Sequence, residues 1–159
     1  PGSFFDAPRT PPEAEDALRR GRALYGPSTP IYVGSVPGQE VICTTTVAGY
    51  NDRGQKVAIT AGHCGEVGDA VQSADAPQLG RTGMITHVNH DLDYAVITLA
   101  PNTEVTRSYN GVTANHQAFR ALADALPGVR LVAPDLRGRG RSAAPAASTP
   151  APAAEAPIG

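Results

Sequence analysis

The sequence predicts a mainly β fold, an antiparallel barrel or sandwich, followed by a short helix-strand segment and a disordered Ala/Pro tail. Three observations lead there. Short runs rich in Val, Ile and Thr recur between residues 41 and 99, with turn residues between them. Between 116 and 133 a helix-like stretch leads into a short apolar strand, a grammar foreign to the strands before it. Gly and Pro, 17 and 15 residues, favour turns and short strands over long helices, and much of the Pro stands at the two ends.

Residues 1 to 12 are Pro-rich and require no order. The chain begins at Pro1 with neither an initiator Met nor a secretory apolar region and is read as a mature or trimmed product, with Pro1, Gly2 and Ser3 left out of fold reasoning. From 13 to 25, Ala14, Ala17, Leu18, Leu24 and Tyr25 fall at helical spacing. Acids (Glu13, Glu15, Asp16) precede bases (Arg19, Arg20, Arg22), which complements a helix dipole, so a short helix is predicted there. Pro27 and Pro30 break it. The run 41 to 48, the turn Asn51-Asp52-Arg53-Gly54 and the run 56 to 60 read as a hairpin. Further strands are expected at 70 to 72, 81 to 88 and 94 to 99, and no internal repeat is present.

Residues 116 to 126 read as a helix built on Phe119, Leu122, Ala123 and Leu126; Pro127-Gly128 stops it, and 129 to 133 reads as a buried strand. From Ala143 the chain is almost wholly Ala and Pro, which cannot bury a core. The expected division is an arm with a short helix over 1 to 30, a β barrel over 31 to 114, a helix-strand-loop segment over 115 to 142, and a tail over 143 to 159. Whether the helix and strand at 119 to 133 fold back onto the barrel stays open at this level.

A formal net charge of -2 creates no field that would hold nucleic acid or an anionic membrane, and neither is expected as a partner. Arg137, Arg139 and Arg141 form a local basic cluster that reads as a solvated loop. No apolar run approaches the about 18 residues of a membrane span. Cys43 and Cys64 are the only thiols, and an even pair flanking strand-like runs fits one disulfide and a secreted or cell-envelope protein. His87, His90, Asp91 and Asp93 lie close together, but the two histidines lack helical i, i+4 spacing and no chelating Cys pattern accompanies them. They read as turn residues, so no metal and no cofactor are expected, and His116 has no evident partner.

Thr60-Ala61-Gly62-His63-Cys64 is the most informative stretch. It is a strand ending in two small residues that permit a tight turn, with an imidazole presented there and a neighbouring Cys to pin it. Such rigidity suits a general base. In Asp91-Leu92-Asp93-Tyr94-Ala95-Val96-Ile97-Thr98-Leu99 an acidic residue stands at the mouth of an apolar strand, where it can point into a site while the strand packs in the core.

The first stretch resembles the Thr-Ala-Ala-His-Cys signature of chymotrypsin-like serine peptidases, in a Gly variant, and the second resembles that family's Asp-bearing strand. The resemblance covers about residues 31 to 114 and implies one half of a double β barrel. It assigns His63 as general base, Asp93 as the carboxylate that orients it, with Asp91 as the fallback, and a bridge from Cys64 back to Cys43.

The family's nucleophile sits in a Gly-Asp-Ser-Gly-Gly segment on a second barrel, and none of Ser3, Ser28, Ser35, Ser73, Ser108, Ser142 or Ser148 has that setting. No Gly-x-Ser-x-Gly elbow is present either. Instead, Phe119 to Ser142, with Asp135-Leu136-Arg137-Gly138-Arg139-Gly140-Arg141-Ser142 at its end, is similar to an early helix-strand-loop segment of α/β-hydrolases that holds neither nucleophile nor base. Two partial hydrolase patterns joined near residue 115, each cut before its nucleophile, look like a fusion, a frame-shifted reading or an assembled chimera. The resemblances thus imply a serine endopeptidase by ancestry, incomplete or inactive alone and acting on peptide or protein if completed. The competing readings are a non-catalytic binding module and an α/β-hydrolase fragment. Half of a two-barrel protein is further expected to expose apolar surface and to self-associate.

Overall fold

The stretch from 13 to 25, helical in spacing throughout, and a covered barrel face near the end are where long-range packing decides the fold. A computed structural model describes residues 10–114, 116–126 and 131–132. In chain order its elements are α1 (Pro12–Arg19), β1 (Ala23–Tyr25), β2 (Pro30–Val33), β3 (Val41–Thr44), β4 (Val47–Tyr50), β5 (Lys56–Thr60), β6 (Ala70–Ser73), β7 (Gly83–Asn89), β8 (Tyr94–Leu99), β9 (Thr103–Val105), β10 (Ser108–Tyr109), β11 (Val112–Thr113) and α2 (His116–Ala125). Single 3-10 turns lie at Gly62–Cys64 and Pro77–Leu79.

The fold is mainly β, as expected. Seven strands form one antiparallel sheet in the order β3-β2-β6-β7-β8-β5-β4. Its two end strands, β3 and β4, are joined only by Thr45 and Thr46, so the sheet must roll until its ends meet. Thr45 N–H donates to Thr29 O at 3.0 Å beside β2, and Thr46 N–H donates to Ile59 O at 2.7 Å beside β5. Thr60 Oγ1 donates to Thr44 O at 2.8 Å across the same closure. The single run expected over 41 to 48 is therefore two strands, broken where the chain crosses from one end of the sheet to the other.

Alternation divides the strands between two clusters. On β5, Ala58 faces the barrel interior while Val57 and Ile59 face outward; on β8, Ala95, Ile97 and Leu99 face in while Tyr94 and Val96 face out. Both faces are buried, which is why the run 94 to 99 reads as continuously apolar. The interior cluster adds Tyr25, Ile31, Val33, Val71 and Ile85. Over the outer face lie Leu126 and Leu131, with Leu122 of α2 packed against the same cluster. Val132 exchanges two backbone hydrogen bonds with Tyr50, at 2.8 and 3.2 Å, on the outer edge of β4. Of the strand expected over 129 to 133, only Leu131 and Val132 are among the described residues. The helix expected over 116 to 126 is α2.

The helix expected over 13 to 25 stops at Arg19, and this is a correction. Gly21, at φ +75°, ends it: Gly21 N–H donates to Leu18 O at 2.8 Å and Arg22 N–H to Ala17 O at 2.9 Å, a Schellman cap. Ala23, Leu24 and Tyr25 are then buried in β1, which pairs in parallel with β9. Ala14 and Ala17 pack with Leu24 and Tyr109. Arg20 holds Glu104 of β9 through two hydrogen bonds of 2.6 and 3.0 Å. The Tyr109 hydroxyl donates to Asp75, and burial together with that carboxylate pushes the phenol's pKa up. The 1–9 end of the expected arm, Arg137, Arg139 and Arg141, the hydrolase-like loop over 135 to 142 and the tail over 143 to 159 all lie outside the described residues.

Candidate active site

β5 delivers the site. Beyond Thr60 the chain stays extended at Ala61 and closes one 3-10 turn, with Cys64 N–H donating to Ala61 O at 3.1 Å. That turn lies directly on the backbone entering β8. A Cβ at Gly62 would stand 3.0 Å from both Tyr94 N and Tyr94 O and 3.1 Å from Asn89 O, so the close approach requires glycine or a shift of backbone. Gly65, on the far side of Cys64, is more restricted: a Cβ there would meet Val33 Cγ1 at 2.8 Å and Ile85 Cδ1 at 2.9 Å.

Asp93 is brought to His63 by the β7–β8 turn. Asn89 Oδ1 accepts from Leu92 N–H at 2.9 Å, and Asp93 itself takes φ +58°, a left-handed conformation uncommon for a residue with a side chain. Strain of that kind persists where the surroundings fix it, and here the fixing contacts are visible. The backbone N–H of His63 donates to Asp93 Oδ1 at 2.9 Å. His63 Nδ1 stands 2.9 Å from Asp93 Oδ2 and 3.1 Å from Oδ1.

The hydrogen bond from the His63 side chain, reinforced by backbone N–H donors and by imidazolium charge, holds the Asp93 carboxyl below its ordinary value. An ionised carboxylate only accepts, so the proton of a neutral His63 resides on Nδ1 and Nε2 carries the free lone pair. His63 is 75% exposed and Asp93 51%, so that lone pair meets solvent. The arrangement can take up a proton at Nε2 and stabilise the resulting imidazolium.

The bridge is made: Cys43 of β3 and Cys64 are disulfide-bonded, and no described cysteine is free. A disulfide is compatible with an extracellular setting. The remaining acidic and imidazole groups near the site go elsewhere. Asp91 makes no hydrogen bond or ion pair with His63 among the described residues, whose contacts run to Asp93. His87 packs its ring against Tyr94, centroids 5.6 Å apart, and His90 Nε2 faces Glu66 Oε1 at 3.3 Å. Among the described residues no three His, Cys, Asp or Glu side chains gather to hold a metal ion, and no helix is long and apolar enough to cross a membrane, which says nothing of strands. No described serine hydrogen-bonds to His63; Ser35 and Ser73 Oγ accept from the backbone of Ala70 and Asp75, and Ser108 pairs with Thr113. The contributions of Thr60 Oγ1, Asn89 and Tyr94 to the site escape sequence reading, because each acts through a contact between elements.

Because the folded pKa of Asp93 is depressed, its contribution to stability is present above the unfolded carboxyl value and fades as pH falls through the lower folded one. A carboxyl-carbon NMR titration is expected to place Asp93 below 3.8, and His63→Ala to return it toward that value. Titration of Asp93 at 3.8 in the intact protein would show that the pair does not persist in solution.

No protein-family model matches this chain, and no curated protein matches it.

Proposed function

We propose that the chain is the His- and Asp-bearing half of a chymotrypsin-like serine endopeptidase, an exported protein in which His63 is the general base and Asp93 its orienter. The observation that carries this reading is the contact of both Asp93 carboxylate oxygens with His63 Nδ1, which leaves Nε2 outward. The rolled antiparallel sheet and the Cys43–Cys64 bridge beside His63 support it. Proton transfer alone does not cleave a peptide by this mechanism. A nucleophile near Nε2 and donors for the developing oxyanion are also required, and a removed donor alone costs about 10²–10³ in rate. The half therefore acts on peptide only when a serine and an oxyanion hole are supplied from outside it.

The exposure of both His63 and Asp93 favours a second reading, a binding module whose open face recruits a partner. A serine-directed fluorophosphonate probe and a peptide library, applied to purified protein and to His63→Ala, test whether the chain is incomplete by itself. Silence of the folded protein is the expected result. Labelling and turnover that both vanish in His63→Ala would show that this chain contains its own nucleophile.

A further inference from the structure

The geometry points to an activity that needs no serine: we propose that His63, oriented by Asp93, is itself a nucleophilic catalyst that transfers acyl groups from aryl esters to water. It is independent of the peptidase reading, since it asks nothing of a second barrel. The requirements are a neutral imidazole of known tautomer, an unencumbered Nε2 and room for an ester. Asp93 fixes the tautomer of the neutral imidazole by accepting from Nδ1–H, with Nδ1 2.9 Å from Oδ2. Among the described residues the hydrogen bonds of the His63 ring all involve Nδ1, and at 75% exposure Nε2 is open to an incoming carbonyl.

The chemistry closes without a cofactor. The Nε2 lone pair attacks the ester carbonyl, and the aryloxide leaves with the bonding electron pair, giving an acyl-imidazolium. Water adds to the acyl carbon and loses a proton to solvent. The N–acyl bond then breaks, a carboxylate departs and imidazole is regenerated. Ester and water become acid and phenol. Imidazole is a better leaving group than an alkoxide or an amine anion, so the tetrahedral adduct goes forward only with a weakly basic leaving group. Aryl esters qualify; alkyl esters and peptides do not. Leu92, directly before Asp93, is a large apolar side chain and 57% exposed.

The anchoring of Asp93 makes the test specific. Its Oδ1 is held by the backbone N–H of His63 at 2.9 Å, so in Asp93→Asn the amide oxygen keeps that bond and the NH2 group falls opposite Nδ1. A donor there forces the proton to Nε2 and removes the nucleophile while preserving the geometry. The measurement is turnover of p-nitrophenyl acetate by the full chain, compared with 4-methylimidazole at equal concentration of neutral imidazole. The chain's single lysine, Lys56, is already donating to Thr103 O at 2.6 Å, which limits stoichiometric acylation elsewhere. The intact protein is expected to exceed 4-methylimidazole, His63→Ala to lose most of the turnover, and Asp93→Asn to lose at least about tenfold. Should Asp93→Asn fold poorly, peptide mapping of the intact protein quenched during turnover decides instead, with the acyl group expected on His63. Turnover retained in His63→Ala, no advantage over 4-methylimidazole, a folded Asp93→Asn at full rate, or no acyl group on His63 would each overturn the proposal.

Discussion

Leu131→Asp is expected to lower the unfolding free energy by about 4 kcal/mol, read from the midpoint of a urea titration. Leu131 is fully buried in the cluster of Val47, Val57, Ile59, Tyr94, Val96 and Leu126 on the outer face of β4, β5 and β8. Losing a leucine from such a site costs about 2–5 kcal/mol, and an unpaired carboxylate cannot remain there ionised. The chain's cheapest response is to release residues 131–132 and with them the two hydrogen bonds between Val132 and Tyr50. The bared face is apolar, so the variant is also expected to self-associate in sedimentation or light scattering, more than the parent does. An unchanged urea midpoint would mean that this segment is not docked on the barrel in solution.

That docking covers the outer face of β5 and β8. The outward residues Val57 and Ile59 of β5 and Tyr94 and Val96 of β8 are buried by Leu126, Leu131 and partly buried Leu122, all from the stretch whose sequence pattern is foreign to the barrel. The covered cluster reaches the site, because Tyr94 follows Asp93 directly and its backbone lies against Gly62. Burial by Leu122, Leu126 and Leu131 thus extends to the strand mouth from which Asp93 reaches His63.

What the sequence made legible was local chemistry: the small residues before His63, the Cys beside it, Asp93 at the head of an apolar run. Each is a pattern within one short segment, whereas the pairings of Asp93 with His63 and of Cys64 with Cys43 join distant segments and were implied only by the resemblance. What stayed hidden depends on contacts between distant segments. Leu24 and Tyr25 continue the helical spacing of α1, and only the cap at Gly21 and the pairing of β1 with β9 turn them into a strand. β9, β10 and β11, two or three residues each, are too short for any alternation to register. The break at Thr45-Thr46 follows from closure of the sheet, which no window of residues contains.

Removing the bridge with the double variant Cys43→Ser/Cys64→Ser is expected to cost about 3 kcal/mol, with the same urea titration as readout. The cysteines are 21 residues apart, and in the chain-entropy picture a loop of that length restricts the unfolded ensemble by this amount. The loop it closes contains the hairpin β4–β5 and ends beside His63, so it also ties the sheet's closure point to the site. Thr60 Oγ1 donating to Thr44 O, and the His63 N–H donating to Asp93, remain to hold the turn in the variant. The folded variant should therefore keep Asp93 titrating below its ordinary range, so stability is lost without loss of the pair. If Asp93 instead returns to 3.8 while the barrel stays folded, the bridge is what positions His63, and oxidation of Cys43 and Cys64 becomes a precondition of any chemistry at this site.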